Sequence, residues 1–85
     1  LAEIARAADL SPYHFARAFK LSTGLTPLRY LMERRIERAK HLLADTELPI
    51  VQVSYKVGFK SQSHFTTIFR RLTATTPSAY RKAVL

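Results

Sequence analysis

Along the chain, apolar residues recur at intervals of three and four, and nothing alternates with period two for long enough to make a convincing strand. The pattern predicts an all-α fold. Leu1, Ile4, Ala5 and Ala8 already keep helical spacing, so residues 1–8 read as a short helix ended by Asp9 and Leu10. A chain that opens inside an amphipathic helix is expected to be a fragment of a longer protein. Ser11 and Pro12 announce the next helix, the serine as an N-cap that accepts an orphan N–H and the proline at the first helical position. Phe15, Ala18, Phe19 and Ser22 share its inner face, and Gly24 stops it.

Thr26-Pro27 repeats the start signal for a long helix reaching about Ala44. Its stripe is Leu28, Leu31, Met32, Arg35/Ile36, Ala39, Leu42 and Leu43. Residues 45–48 read as a loop, and Pro49 opens a helix with Ile50, Val53 and Val57 inside. Gly58-Phe59-Lys60 is a turn. Ser61 caps a further helix whose apolar face is Phe65, Ile68, Phe69 and Leu72, and Thr76-Pro77 starts a last short helix through Tyr80 and Lys82.

The chain contains a repeat. Residues 11–30 laid over residues 61–80 agree at eight of twenty positions: Ser11/Ser61, His14/His64, Phe15/Phe65, Phe19/Phe69, Thr23/Thr73, Thr26/Thr76, Pro27/Pro77 and Tyr30/Tyr80. Lys20/Arg70 adds a matched charge. The preceding helices match with the offset reduced by one, as Leu1/Ile50, Ile4/Val53, Ala8/Val57, Asp9/Gly58 and Leu10/Phe59. Helices meeting steeply across a tight turn need one residue near the left-handed region. Gly58 takes it freely, and Asp9 is among the few other residues that tolerate it. Leu10 and Phe59 then plug the two corners. This is helix-turn-helix grammar written twice; the plainer alternative is two generic helical hairpins.

Charge narrows the partner. Fourteen Lys and Arg against six Asp and Glu give a formal net charge of +8, which points to a polyanion, the plainer alternative being a basic surface kept for solubility. No acidic residue follows Glu47, whereas Lys56, Lys60, Arg70, Arg71, Arg81 and Lys82 all do. Eighty-five residues make one domain and leave no room for a deep substrate cavity. There is no cysteine, hence no disulfide and no thiolate metal site, as suits a reducing cytosol. The apolar runs are too short to span a membrane, and no signal peptide opens the chain.

Val57-Gly58-Phe59-Lys60-Ser61-Gln62-Ser63-His64-Phe65, leading to Phe69-Arg70-Arg71, resembles the C-terminal DNA-binding domain of the AraC/XylS transcription regulators. Arg38-Ala39-Lys40-His41-Leu42-Leu43 and Thr76-Pro77-Ser78-Ala79-Tyr80-Arg81 extend the likeness over essentially the whole chain. The family's domain has a further helix before the first unit that this sequence lacks. The resemblance implies a homeodomain-like, all-α single domain with two helix-turn-helix subdomains: residues 1–26, a linker helix 27–44, residues 49–75 and a C-terminal helix in 76–85. It implies a monomeric module that binds double-stranded promoter DNA in the bacterial cytoplasm, at the nucleoid, as part of an activator. RNA polymerase would touch the bound domain, and a small-molecule effector would act only through a separate N-terminal domain.

Two recognition helices serve one face of a duplex when they lie about one turn, roughly 34 Å, apart. A spacer helix of ~18 residues supplies ~27 Å of that. On the first recognition helix Tyr13, Ala16 and Arg17 are the expected base contacts. The Arg17 guanidinium suits O6 and N7 of guanine together, with a phosphate clamp as its plainer role. On the second helix they are Gln62, Ser63, Thr66 and Thr67. Relatives often carry a long basic side chain where Thr67 stands, so looser reading is expected there. Phosphate contacts are expected from Ser11, Lys20, Arg29, Lys60, Ser61, Arg70 and Ser78, helped by exposed N–H groups at the Thr26-Pro27 and Thr76-Pro77 helix starts.

His14 and His64 follow a capping serine by three residues, and with no acid to orient them they read as capping aids rather than catalytic groups. The three histidines, His41 included, are too scattered for a metal site. Tyr30 and Tyr80 read as packing residues. Glu33 and Glu37, among Arg29, Arg34, Arg38 and His41, read as exposed ion pairs. No enzyme activity, cofactor or metal is expected. Two alternatives keep the fold: a DNA tether for a repair methyltransferase, and a helical protein- or RNA-interaction domain.

Overall fold

The structure, a computed structural model, describes residues 11–85; the expected first helix, the Asp9 turn and the Leu10 plug lie outside the described residues. The described residues form five helices and no strand: α1 (Pro12–Thr23), α2 (Pro27–Asp45), α3 (Ile50–Lys56), α4 (Gln62–Thr73) and α5 (Pro77–Ala83). The chain divides into two compact units, Leu1–Met32 and Glu33–Leu85. Each helix predicted within the described residues is present, with ends within about a residue of expectation. Pro49, expected to open α3, is its N-cap.

Capping explains the helix starts. The Ser11 hydroxyl accepts the His14 N–H at 3.2 Å, and Ser61 accepts that of His64 at 3.1 Å. Thr26 and Thr76 take the N–H groups of Arg29 and Ala79 in the same way, at 3.2 and 3.1 Å. Each such cap stabilises by about 1 kcal/mol. The helix ends also match. α1 stops at Gly24 (φ 79°) and α4 at Ala74 (φ 63°), each in the left-handed region with its N–H on a carbonyl four residues back. Thr23 and Thr73 explain their identity here. Their hydroxyls donate to the Phe19 and Phe69 carbonyls at 2.8 and 2.7 Å and accept the N–H groups of Leu25 and Thr75.

The second unit holds the well-packed core. Ile36, Ala39 and Leu43 of α2 meet Val53 and Val57, Phe59 of the turn, and Phe65 and Phe69 of α4, none more than 4% exposed. A chain of ring contacts runs through it, Phe59–Phe65 at 5.4 Å and Phe65–Phe69 at 5.6 Å tilted, and Phe69–Tyr80 at 5.7 Å edge to face. Ser54, fully buried, donates to the Val51 carbonyl at 2.6 Å, so its polarity costs little. The first unit repeats the aromatic path with Phe15–Phe19 at 5.8 Å and Phe19–Tyr30 at 5.3 Å. Phe15 and Phe19, however, are only half-buried. Tyr80, expected as a packing residue, is half-buried at the end of its path, whereas Tyr30 makes the same ring contact but stays 43% exposed.

Two expectations need correction. Leu28 and Leu31, placed on the inner stripe of α2, are 54% and 39% exposed, so that stripe is buried only from Ile36 onward. Ala18 and Ser22, expected on the inner face of α1, are exposed. The exposed ion pair expected of Glu37 is present, made with Lys40 at 3.6 Å.

Gly58 turns the corner between α3 and α4 at φ 101°, and a Cβ there would lie 2.9 Å from the Arg35 Nε. Arg35 itself stacks over Phe59, its Cζ 5.6 Å from the ring centre. At the far end of α2, Arg81 donates from Nε to the Leu43 carbonyl at 3.1 Å and from Nη2 to that of Thr46 at 3.3 Å. A cation there satisfies orphan carbonyls and meets the negative end of the helix dipole.

Candidate nucleic-acid interface

α1 and α4 each turn their phenylalanines inward and leave an opposite face free of acidic groups. On α1 that face carries Tyr13, 66% exposed, with Arg17 and Lys20, both exposed. Arg17 is not a loose side chain. Its Nη1 donates to the Tyr13 hydroxyl at 3.4 Å, and its Cζ lies 5.8 Å from the Tyr13 ring centre. A stacked guanidinium of this kind is held outward at reduced entropic cost while its remaining donors stay available. Ala16 is half-buried and set back from this row.

On α4 the matching face carries Gln62, Ser63, Thr67 and Arg70, all exposed, with Thr66 half-buried. Thr67 donates its hydroxyl hydrogen to the Ser63 carbonyl at 3.0 Å. That leaves a methyl group and an oxygen lone pair outward. The face is short where that of α1 is long.

Among the residues expected at phosphates, Lys20, Arg29, Lys60, Arg70 and Ser78 are exposed. Lys20 and Arg70 also occupy the last turns of their helices, where cations are favoured. Ser11 and Ser61 are exposed but already committed as caps, and the Ser11 Oγ lies 2.9 Å from the His14 Nδ1 as well. The threonine caps likewise take one N–H from the starts of α2 and α5 that were expected to face phosphate.

His14 and His64 both give their backbone N–H to the cap. The His64 ring then packs against Phe59 at 5.3 Å, whereas that of His14 stays with Ser11 and Tyr13. Among the described residues no three His, Cys, Asp or Glu gather as metal ligands. No helix of the described residues is long and apolar enough to cross a membrane.

Sequence reasoning missed the structural work of Arg35 and Arg81, which brace the second unit. For Arg35 a signal existed, because it flanks Ile36 on the edge of the apolar stripe. For Arg81, thirty-eight residues from its Leu43 partner, no local pattern announces the contact.

The helix-turn-helix domain family matches residues 4–83. The chain is similar to the probable transcriptional regulator LumQ of Photobacterium leiognathi, 38% identical over 95% of this chain and 33% of that protein. It is also similar to the transcriptional activator RhaS of Escherichia coli (strain SE11), 41% identical over 80% of this chain and 24% of that one. The chain thus spans a third or less of the curated relatives it matches. Among solved structures, the DNA-binding domain of the global transcriptional factor AdpA in complex with a target DNA superposes with a TM-score of 0.89. It is 33% identical, over 95% of this chain and 73% of that one.

Proposed function

The chain belongs to the helix-turn-helix domain family of AraC-type transcription regulators, and on that premise we propose that it binds double-stranded DNA in a sequence-specific manner, laying α1 and α4 into successive major grooves. The observation that carries this reading is the twofold occurrence of one device: a serine-capped helix, phenylalanines inward, with an exposed polar face free of acids. Only the major groove shows all four base pairs distinctly, and its width admits one helix. The solved AdpA domain with its target DNA supports the same partner for this chain.

In this reading Tyr13, Ala16 and Arg17 meet bases from α1, the Arg17 guanidinium on a guanine and the Tyr13 ring beside a thymine methyl. Gln62, Ser63, Thr66 and Thr67 meet them from α4. Lys20, Arg29, Lys60, Arg70 and Ser78, with the capping Ser11 and Ser61, hold the backbone. Residues 1–85 form a single monomeric, non-catalytic domain, with the first helix-turn-helix in 1–26, the linker in 27–44, the second in 49–75 and the closing helix in 76–85. The whole protein is an activator working on the bacterial nucleoid, reached by RNA polymerase and governed by an effector bound elsewhere.

Selection from random duplex DNA with the 85-residue chain tests this. The expected product is two short conserved blocks about 10–10.5 base pairs apart, protected from cleavage over ~15–20 base pairs. Neutralising about six phosphates gives a log–log salt slope near −5. Failure to enrich any sequence, or equal binding of single-stranded RNA, overturns the reading.

A further inference from the structure

On α4, Ser63, Thr67 and Arg71 follow one another at four-residue intervals, the same spacing that sets Tyr13, Arg17 and Leu21 along α1. Such a row drifts by about 40° per step around a helix. It therefore starts near the middle of the outward face and ends on its flank. The two rows carry opposite chemistry. α1 has its long aromatic and cationic groups first and ends on Leu21, which is 85% exposed. α4 has two short side chains first, with Thr67 turned back onto Ser63, and reaches its guanidinium only at Arg71.

Arg71 is exposed, lies in the last turn of α4 beside Arg70, and its side chain makes no hydrogen bond or ion pair among the described residues. Its charge is accordingly not spent within the protein, in contrast to Arg35 and Arg81. A recognition helix meets base edges with its N-terminal residues. Arg71 is about two and a half turns further on and on the flank, where a groove-bound helix rises past the sugar–phosphate wall. A guanidinium at that height matches a phosphate in charge and geometry.

We propose that Arg71 is a phosphate-clamping residue of the second unit without a counterpart in the first, where Leu21 leaves the matching position uncharged. The assignment rests on the reading of α4 as a major-groove helix. It makes the second unit hold by charge what its short side chains do not gain at bases.

The test measures affinity against salt for the 85-residue chain and for Arg71→Leu, Leu21→Arg and the double exchange. The probes are a 40-base-pair duplex selected from random sequence by the wild type and an unselected duplex of the same length. Both positions are exposed, so the variants keep the wild-type melting midpoint. Arg71→Leu weakens both duplexes by the same factor and makes the salt slope shallower by about 0.9. Between about 50 and about 200 mM salt its affinity then falls about 3.5-fold less than that of the wild type. Leu21→Arg steepens the slope by a similar amount, and the double exchange restores it. A slope for Arg71→Leu equal to that of the wild type overturns the assignment alone. So does weakening confined to the selected duplex, which would make Arg71 a base reader. A wild type that prefers no duplex over single-stranded RNA overturns the groove reading and Arg71 with it.

Discussion

Two units with the same punctuation have diverged in what they do with it. Around α1 and α4 the caps, the left-handed exits, the threonine brace and the Phe–Phe–Tyr path are superposable in kind. The phenylalanines of α4 are fully buried, while those of α1 are only half-covered. The exposed faces differ in the other direction. α1 presents a stacked Tyr13–Arg17 pair, and α4 presents hydroxyls of which one is already turned inward. The unit that packs better offers the blander surface. What the repeat preserves is therefore the scaffold, and what it leaves free to change is the chemistry laid on top.

The strongest way to break that comparison is to truncate the matched phenylalanines. Phe69→Ala removes a side chain with no exposure and is expected to cost about 3–5 kcal/mol, most of the stability of a domain this size. Phe19→Ala, at a half-buried position, is expected to cost about half as much. Urea unfolding of both variants checks the ratio; equal losses would mean the two units are equally packed. Next in size is Gly58→Ala, expected to cost about 2–3 kcal/mol in the same assay. A φ of 101° is strained for any side chain, and the new Cβ also displaces the Arg35 guanidinium from over Phe59. A loss below about 1 kcal/mol would show that the corner is softer than its geometry indicates.

The faces are separated by a binding measurement. Arg17→Ala is expected to cost about 1–3 kcal/mol in affinity and to relax selectivity at one base pair. Thr67→Ala, at the matching place on α4, is expected to cost less than about 1 kcal/mol and to relax preference less than Arg17→Ala does, since its hydroxyl hydrogen already goes to Ser63. Repeating the selection with each variant decides it. Equal relaxation by both would mean that the two helices read DNA alike, and an unchanged preference for Arg17→Ala would remove it from the base contacts.

Much of this was legible before any coordinates. Helix starts follow from Ser11-Pro12, Thr26-Pro27, Ser61 and Thr76-Pro77 because capping is chemistry between residues three apart. The core of the second unit follows from the three-to-four spacing of Val53, Val57, Phe65 and Phe69. The exposed faces of α1 and α4 follow by opposition to their phenylalanines. What stayed hidden depends on distance along the chain. The stripe of α2 looks continuous from Leu28 to Leu43, yet burial starts at Ile36, because periodicity marks a face without saying how far a neighbour extends along it. Net charge likewise counted Arg81 as one more cation, although it caps α2, and the place of Arg35 on the stripe gave no sign that it stacks on Phe59. Ala74 was overlooked for a related reason: an alanine gives no warning that its backbone is left-handed.

That alanine supplies the smallest and cleanest test of the comparison. Gly24 and Ala74 end equivalent helices at nearly the same geometry, φ 79° and ψ 0° against φ 63° and ψ 15°. Left-handed backbone costs a residue with a Cβ roughly 1–2 kcal/mol, and glycine returns about 0.5–1 kcal/mol of that through the greater freedom of the unfolded chain. Ala74→Gly should therefore stabilise by about 0.5–1 kcal/mol, a rise of ~2–8 °C in melting midpoint. Gly24→Ala should lose a similar amount, because nothing lies within 4 Å of the added Cβ and only the backbone term acts. Exchanging both residues should then return the wild-type midpoint. If Gly24→Ala proves neutral while Ala74→Gly still stabilises, the exit of α1 can relax out of the left-handed region at no cost, and the two units differ in backbone as well as in surface.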